Sequence, residues 1–156
     1  MQGLLDSLQR SEEFKSILRG IKNGLRQQMV CGLSGSQRSY LLAALVDKMT
    51  PPAPLLVVTP GEREARDLAE ELIGFLPGAP VKLFPAKANT SSLVLAHSRE
   101  IHAQRLQTLE GLCTGSPMVI FAAAEALLQP LIPPDVLHNE TLYITVGNRL
   151  DPVELI

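Results

Sequence analysis

Gly32, Gly35, Ser36, Gln37, Arg38 and Ser39 carry the residue types that chemistry on phosphate needs, close together and in a suggestive order. They sit in the stretch Met-Val-Cys-Gly-Leu-Ser-Gly-Ser-Gln-Arg-Ser-Tyr at positions 29–40. A short apolar run enters a glycine and serine loop, and an apolar helical pattern follows. That is the layout of a phosphate-binding loop, whose full signature is G-x-x-x-x-G-K-[ST]. With Gly32 in the first position, Gln37 stands where the second glycine belongs and Arg38 where the lysine belongs. Ser39 keeps the hydroxyl position. The second glycine lets backbone N–H groups close around a phosphate, and a Gln side chain fills that space. Arginine keeps the charge of lysine but brings a bulky planar fork of different reach. The pattern predicts the fold of a nucleotide site without its nucleotide, with Arg38 as the one candidate anion contact and Ser39 as a residual Mg²⁺ ligand type.

The rest of the chain supplies no partner for that loop. A nucleotide hydrolase needs a carboxylate at a strand end to hold Mg²⁺ and position water. Phe121 runs into Ala122-Ala123-Ala124, and Val58 into Thr59-Pro60. Glu70 and Glu71 fall on a mixed-charge helix face and read as solvated. His97, His102 and His138 share no metal-ligand spacing with each other or with cysteine, and His102 reads as a packed helix residue. Ser34, Ser36 and Ser39 lack a neighbouring base. No catalytic residue and no metal site is expected. Cys31 and Cys113 show no C-x-x-C spacing and are expected to be buried, reduced thiols.

Composition narrows the class further. A length of 156 residues suits one domain, or one domain and part of another. A net charge of -2 gives no general pull towards nucleic acid, and the absence of Trp argues against single-strand stacking platforms. No apolar run is long enough to cross a bilayer, and the first ten residues lack the basic start and apolar core of a signal peptide. The expectation is a cytoplasmic protein with no membrane partner.

The elements that would position the loop follow from periodicity. Met1, Leu4, Leu5 and Leu8 predict one helix. Ser11 caps a second, with Phe14, Ile17, Leu18 and Ile21 on its apolar face and Asn23-Gly24 at its end. Residues 29–31 predict a strand. Leu41, Ala44, Leu45 and Met49 predict the helix after the loop. Residues 55–58 read as a strand covered on both faces. Thr59-Pro60-Gly61-Glu62 reads as a Thr cap with Pro in the first turn, opening a helix to about Leu76. Residues 81–84 and 118–121 predict two more strands. Residues 86–96 read as a loop with a turn of helix. The helix at 97–113 should turn Leu106, Leu109, Leu112 and Cys113 inward, and 122–129 is a short helix. Pro130, Pro133 and Pro134 read as a module boundary. Beyond them, residues 141–146 alternate strictly, as in a half-exposed antiparallel strand. The pattern at 151–154 starts a helix without a body, which predicts a piece of a longer protein. The fold class expected is α/β: a three-layer, mainly parallel sheet with helices on both faces, resembling a degenerate P-loop nucleotide hydrolase. Residues 1–134 form this domain and 135–156 begin a second module.

Several blocks resemble a known family. Ile21-Lys22-Asn23-Gly24 and the run from Cys31 to Ser39 are similar to the opening of UvrB, the helicase-like subunit of nucleotide excision repair, with its phosphate loop eroded. Leu83-Phe84-Pro85-Ala86, Arg105-Leu106-Gln107-Thr108-Leu109, Ala126-Leu127-Leu128-Gln129-Pro130 and Val146-Gly147-Asn148-Arg149-Leu150-Asp151 resemble the N-terminal UvrB-like region of bacterial transcription-repair coupling factors. The resemblance covers nearly the whole chain. Lys87-Ala88-Asn89-Thr90 departs from it, standing where the family tends to carry an aromatic-acidic and Pro-Tyr segment. The resemblance implies a non-catalytic module within an ATP-dependent DNA translocase. That parent displaces stalled RNA polymerase on duplex DNA and recruits UvrA, with ATP and Mg in a distant C-terminal motor. It implies that UvrA binds mainly through the next module, starting near His138, and that the UvrB-like region itself acts in recruitment and autoinhibition through contacts with the parent's other domains. Two other classes stay open from the residues: a small P-loop enzyme with Arg38 in place of lysine, and an interaction module unrelated to repair.

Overall fold

A computed structural model describes residues 2–49, 53–87 and 95–142. Two helices lead in, α1 (Gln2–Gln9) and α2 (Glu12–Lys22). The Ser11 hydroxyl accepts from the Phe14 N–H and caps α2, with Glu12 and Glu13 beside its positive end and Arg19 and Lys22 in its last turn. The chain then runs past the helix it has just left. Gln28 donates to the carbonyl of Ile17 and lies against Gly20, where a Cβ would meet the Gln28 amide oxygen at 2.3 Å.

The expected strand at 29–31 does not form. Those residues have no regular structure, and Met29 is 89% exposed. Gln28 holds the segment to α2, and three apolar residues before a glycine are too short a run to claim a place in the sheet. This also corrects Cys31, which is exposed.

The remaining elements alternate as expected: α3 (Gln37–Lys48), β1 (Leu55–Thr59), α4 (Glu62–Phe75), β2 (Val81–Phe84), α5 (Leu95–Cys113), β3 (Val119–Ala123), α6 (Ala124–Leu127) and α7 (Pro134–Glu140). The three strands form a parallel sheet in the order β1-β3-β2. All of β3 is buried, as a central strand covered on both faces must be. On one face Leu55, Val57, Val119 and Phe121 pack against α3 and α4, beyond which lie Leu5 and Phe14. Ala43, Ala44, Ala65 and Ala69 line this layer, and their small side chains let α3 and α4 pack closely. On the other face Phe84, Ile120 and Ala122 pack with Ala126 and Leu109. The result is the predicted α/β arrangement with helices on both faces of a parallel sheet.

Three local expectations change. β1 is covered on one face only: α5 lies over β2, leaving Leu56 and Val58 about half exposed. Thr59 is not the cap of α4; Gly61 is, and the Thr59 hydroxyl donates to the Gly61 carbonyl instead. The buried face of α5 is offset from the leucine face, with Arg105 and Thr108 inside while Leu106, Leu112 and Cys113 are exposed. Pro134 opens α7, which packs against α5. The alternating run expected as a strand lies outside the described residues from 143 onward, and Thr141 and Leu142 carry no strand structure.

Candidate functional site

Gly32 and Gly35 both take positive φ, so the loop does turn through the left-handed region that a phosphate loop uses. The side chains of Gln37, Arg38 and Ser39, however, are bonded to the protein. Gln37 folds back so that its Oε1 accepts from the Ser34 N–H at 2.9 Å and lies 3.4 Å from the Ser34 hydroxyl. It thereby uses a backbone donor of the kind that a phosphate oxygen takes in such loops. Arg38 Nη1 pairs with Glu64 Oε1 of α4 at 2.5 Å. Ser39 is fully buried, and its hydroxyl donates to Glu71 Oε2 at 2.7 Å. Gly32, Gly35 and Ser36 are exposed beside these pairs.

The Ser39 pair corrects the reading of Glu71. Residues 39 and 71 lie 32 apart, so no local pattern signals the contact. Packing of α3 on α4 turns Glu71 from a solvated position to an internal acceptor. Tyr40 strengthens the same layer, with its ring centroid 5.5 Å from that of Phe75 and its hydroxyl donating to the Leu4 carbonyl.

A separate cleft of about 140 Å³ opens at the carboxyl ends of β2 and β3, lined by Glu62, Arg66, Phe84, Pro85, Glu100 and Gln104 among others. Ligands of open α/β sheets bind at such strand ends. The loop at 32–39 does not line it. Glu62 is the acid nearest a strand end there, and it accepts the Ala86 N–H at 2.7 Å. Among the described residues no three His, Cys, Asp or Glu converge as metal ligands. His102 is exposed, contrary to its expected packing, and His138 is exposed in α7.

Sequence reasoning missed Arg105. It is only 3% exposed, and its guanidinium carbon lies 4.1 Å from the centroid of the Phe84 ring. Nη1 donates to the Pro85 carbonyl at 2.7 Å and weakly to Ala126. Burial lowers its pKa below the ordinary guanidinium value. No local pattern signals the residue, because Phe84, Pro85 and Ala126 meet Arg105 only in the folded chain.

No family model matches the chain. The chain is 30% identical over 155 residues to a transcription-repair-coupling factor of Bacillus subtilis, and the match takes in 99% of this chain. The chain is similar throughout to the UvrB-like region of a transcription-repair coupling factor. UvrABC system protein B of Thermotoga maritima is 24% identical over 157 residues, covering 92% of the chain, and that of Anaplasma phagocytophilum is 24% identical over 156. The UvrB-like chain spans 13% of the length of the coupling factor and 23% of the Thermotoga protein. Among the described residues no helix is long and apolar enough to cross a membrane.

Proposed function

We propose that this chain is a non-catalytic, UvrB-like module that serves nucleotide excision repair in a transcription-repair coupling factor. Similarity to both protein types along nearly the whole chain supports the repair role. The observation that carries the non-catalytic reading is the closed loop. Gln37, Arg38 and Ser39 occupy the three positions that would wrap phosphate, follow its charge and ligate Mg²⁺, and each is bonded to Ser34, Glu64 or Glu71. A nucleotide would have to break all three contacts and would gain no strand-end carboxylate in return.

The parent in this reading is a cytoplasmic, ATP-dependent DNA translocase that acts on stalled RNA polymerase and recruits UvrA. Its ATP and Mg belong to another part of that protein. The module contributes a surface and a scaffold. Titration calorimetry with Mg-ATP tests the central point. The expected result is no binding tighter than about 1 mM, equivalent to roughly 4 kcal/mol. A micromolar isotherm overturns the reading. For recruitment, the full coupling factor should bind UvrA while this chain alone binds it weakly or not at all, read by calorimetry with both.

A further inference from the structure

Charge is unevenly distributed along this chain. Residues 14–46 hold Lys15, Arg19, Lys22, Arg26 and Arg38 and no Asp or Glu, although the net charge of the whole is -2. Arg19, Lys22 and Arg26 lie in the last turn of α2 and just beyond it, and all three are exposed. Glu12 approaches Arg19 only to 4.0 Å, and the Arg19 side chain stays 69% exposed. The same stretch presents apolar groups to solvent. Every residue from 21 to 32 is exposed, including Ile21 at 42%, Leu25 at 60%, Met29 at 89% and Val30 at 44%. Single exposed apolar residues are ordinary, whereas several together on one surface mark a contact site.

The backbone that carries these side chains is fixed before anything binds. Gly24 takes a positive φ, and the Leu25 N–H donates to the Gly20 carbonyl at 3.0 Å, which closes the C-terminal turn of α2. The chain then doubles back along the helix. Gln28 donates to the Ile17 carbonyl at 3.2 Å and lies against Gly20. That return brings residues 25–30 beside the last turns of α2, so the cations and the apolar side chains share one corner of the molecule. A corner held in this way has little ordering left to do when a partner arrives.

We infer that this corner docks a segment of another protein in which Asp or Glu alternates with apolar residues. Arg19, Lys22 and Arg26 complement the charge of its acids, and Ile21, Leu25, Met29 and Val30 cover its apolar side chains. Cations alone would also suit the phosphates of DNA, but phosphate contacts leave no use for the four apolar groups. Met and Arg are enriched where proteins meet, and the flexible thioether of Met29 adapts to the shape of a partner. No side chain of the loop at 32–39 is used, so the inference stands independently of whether that loop binds nucleotide.

The test selects binders to this chain from a phage-displayed library of random peptides and maps them by heteronuclear NMR on the methyl groups of Ile21, Leu25, Met29 and Val30. Selected peptides should combine acids with apolar residues and shift these signals saturably. Lys22→Glu with Arg26→Glu should weaken them at least about tenfold, and Leu25→Ser with Met29→Ser several-fold. All four positions are exposed, so both variants should keep the urea midpoint of the parent chain, and the mapping on the unaltered chain reads the site without either. A selection that yields no binder, peptides that lack acids, or binding indifferent to both variants overturns the inference. So does duplex DNA that shifts the same methyl signals and is weakened by the charge variant alone, which would make the corner a phosphate surface. A shift of these signals in the free protein on Asp151→Asn with Glu154→Gln also overturns it, because the acid would then be the chain's own.

Discussion

Gln37 shows how one side chain can close a site. A glycine there leaves loop N–H groups open, whereas the Gln37 amide oxygen takes the Ser34 N–H for itself. The double variant Gln37→Gly with Arg38→Lys reopens that space and replaces the guanidinium fork that pairs with Glu64 by a single ammonium. It should gain weak phosphate affinity at most and release no phosphate from ATP, because no carboxylate holds the metal. Measurable release in a colorimetric phosphate assay would mean that an acid such as Glu62 or Glu71 can take that role. The cysteines give a second prediction at this scale. Cys31 and Cys113 are both exposed, so a thiol reagent should modify both in the native protein at rates close to those in denaturant. Slow labelling of Cys31 would put residues 29–31 back into a sheet.

At the scale of elements, α1 is tied to α3 by Gln9, whose amide donates to Asp47 at 2.9 Å. That bond, with help from Lys48, holds the Asp47 carboxyl below its ordinary value, against desolvation. A carboxyl that is more acidic folded than unfolded contributes stability at neutral pH and loses it as pH falls through the lower folded value. Gln9→Ala should therefore cost less than about 1 kcal/mol at pH 7, given the exposure of the pair, and the difference from wild type should vanish in acid. Urea melts at pH 7 and at about pH 2, in the range where even a lowered carboxyl protonates, measure it; a difference that persists there would assign the effect to packing. Elements of this size were largely legible in the sequence. The alternation of apolar runs and helical periods located β1, β2, β3, α3 and α4, and Ser11 marked the start of α2. What failed were judgements that depend on a distant neighbour. Leu56 and Val58 read as buried because apolar runs usually are, but burial also needs a helix over that part of the sheet. The face of α5 was misread because Arg105 counts as polar until Phe84, Pro85 and Ala126 surround it. Ser39 and Glu71 meet only because α3 and α4 pack together.

For the whole molecule, the decisive strand is β3. Phe121 is fully buried between the layers and pairs in register with Val57 on one side and Leu83 on the other. Phe121→Ala should cost about 3–5 kcal/mol, read as a lower urea midpoint for a single cooperative transition. A loss below about 1 kcal/mol would mean that the layers close over the gap. The order β1-β3-β2 has a further consequence in time. β1 and β2 leave the ribosome first but make no ladder with each other; each waits for the strand that is made after both. At roughly 5–20 residues per second, the nascent chain spends seconds with two sticky strands and no sheet. The helices α3 and α4 can form early from local contacts, but they have no completed surface on which to settle. Folding during synthesis should thus come as one late step when residues 119–123 clear the exit tunnel, and the interval before it is when a chaperone has most to hold.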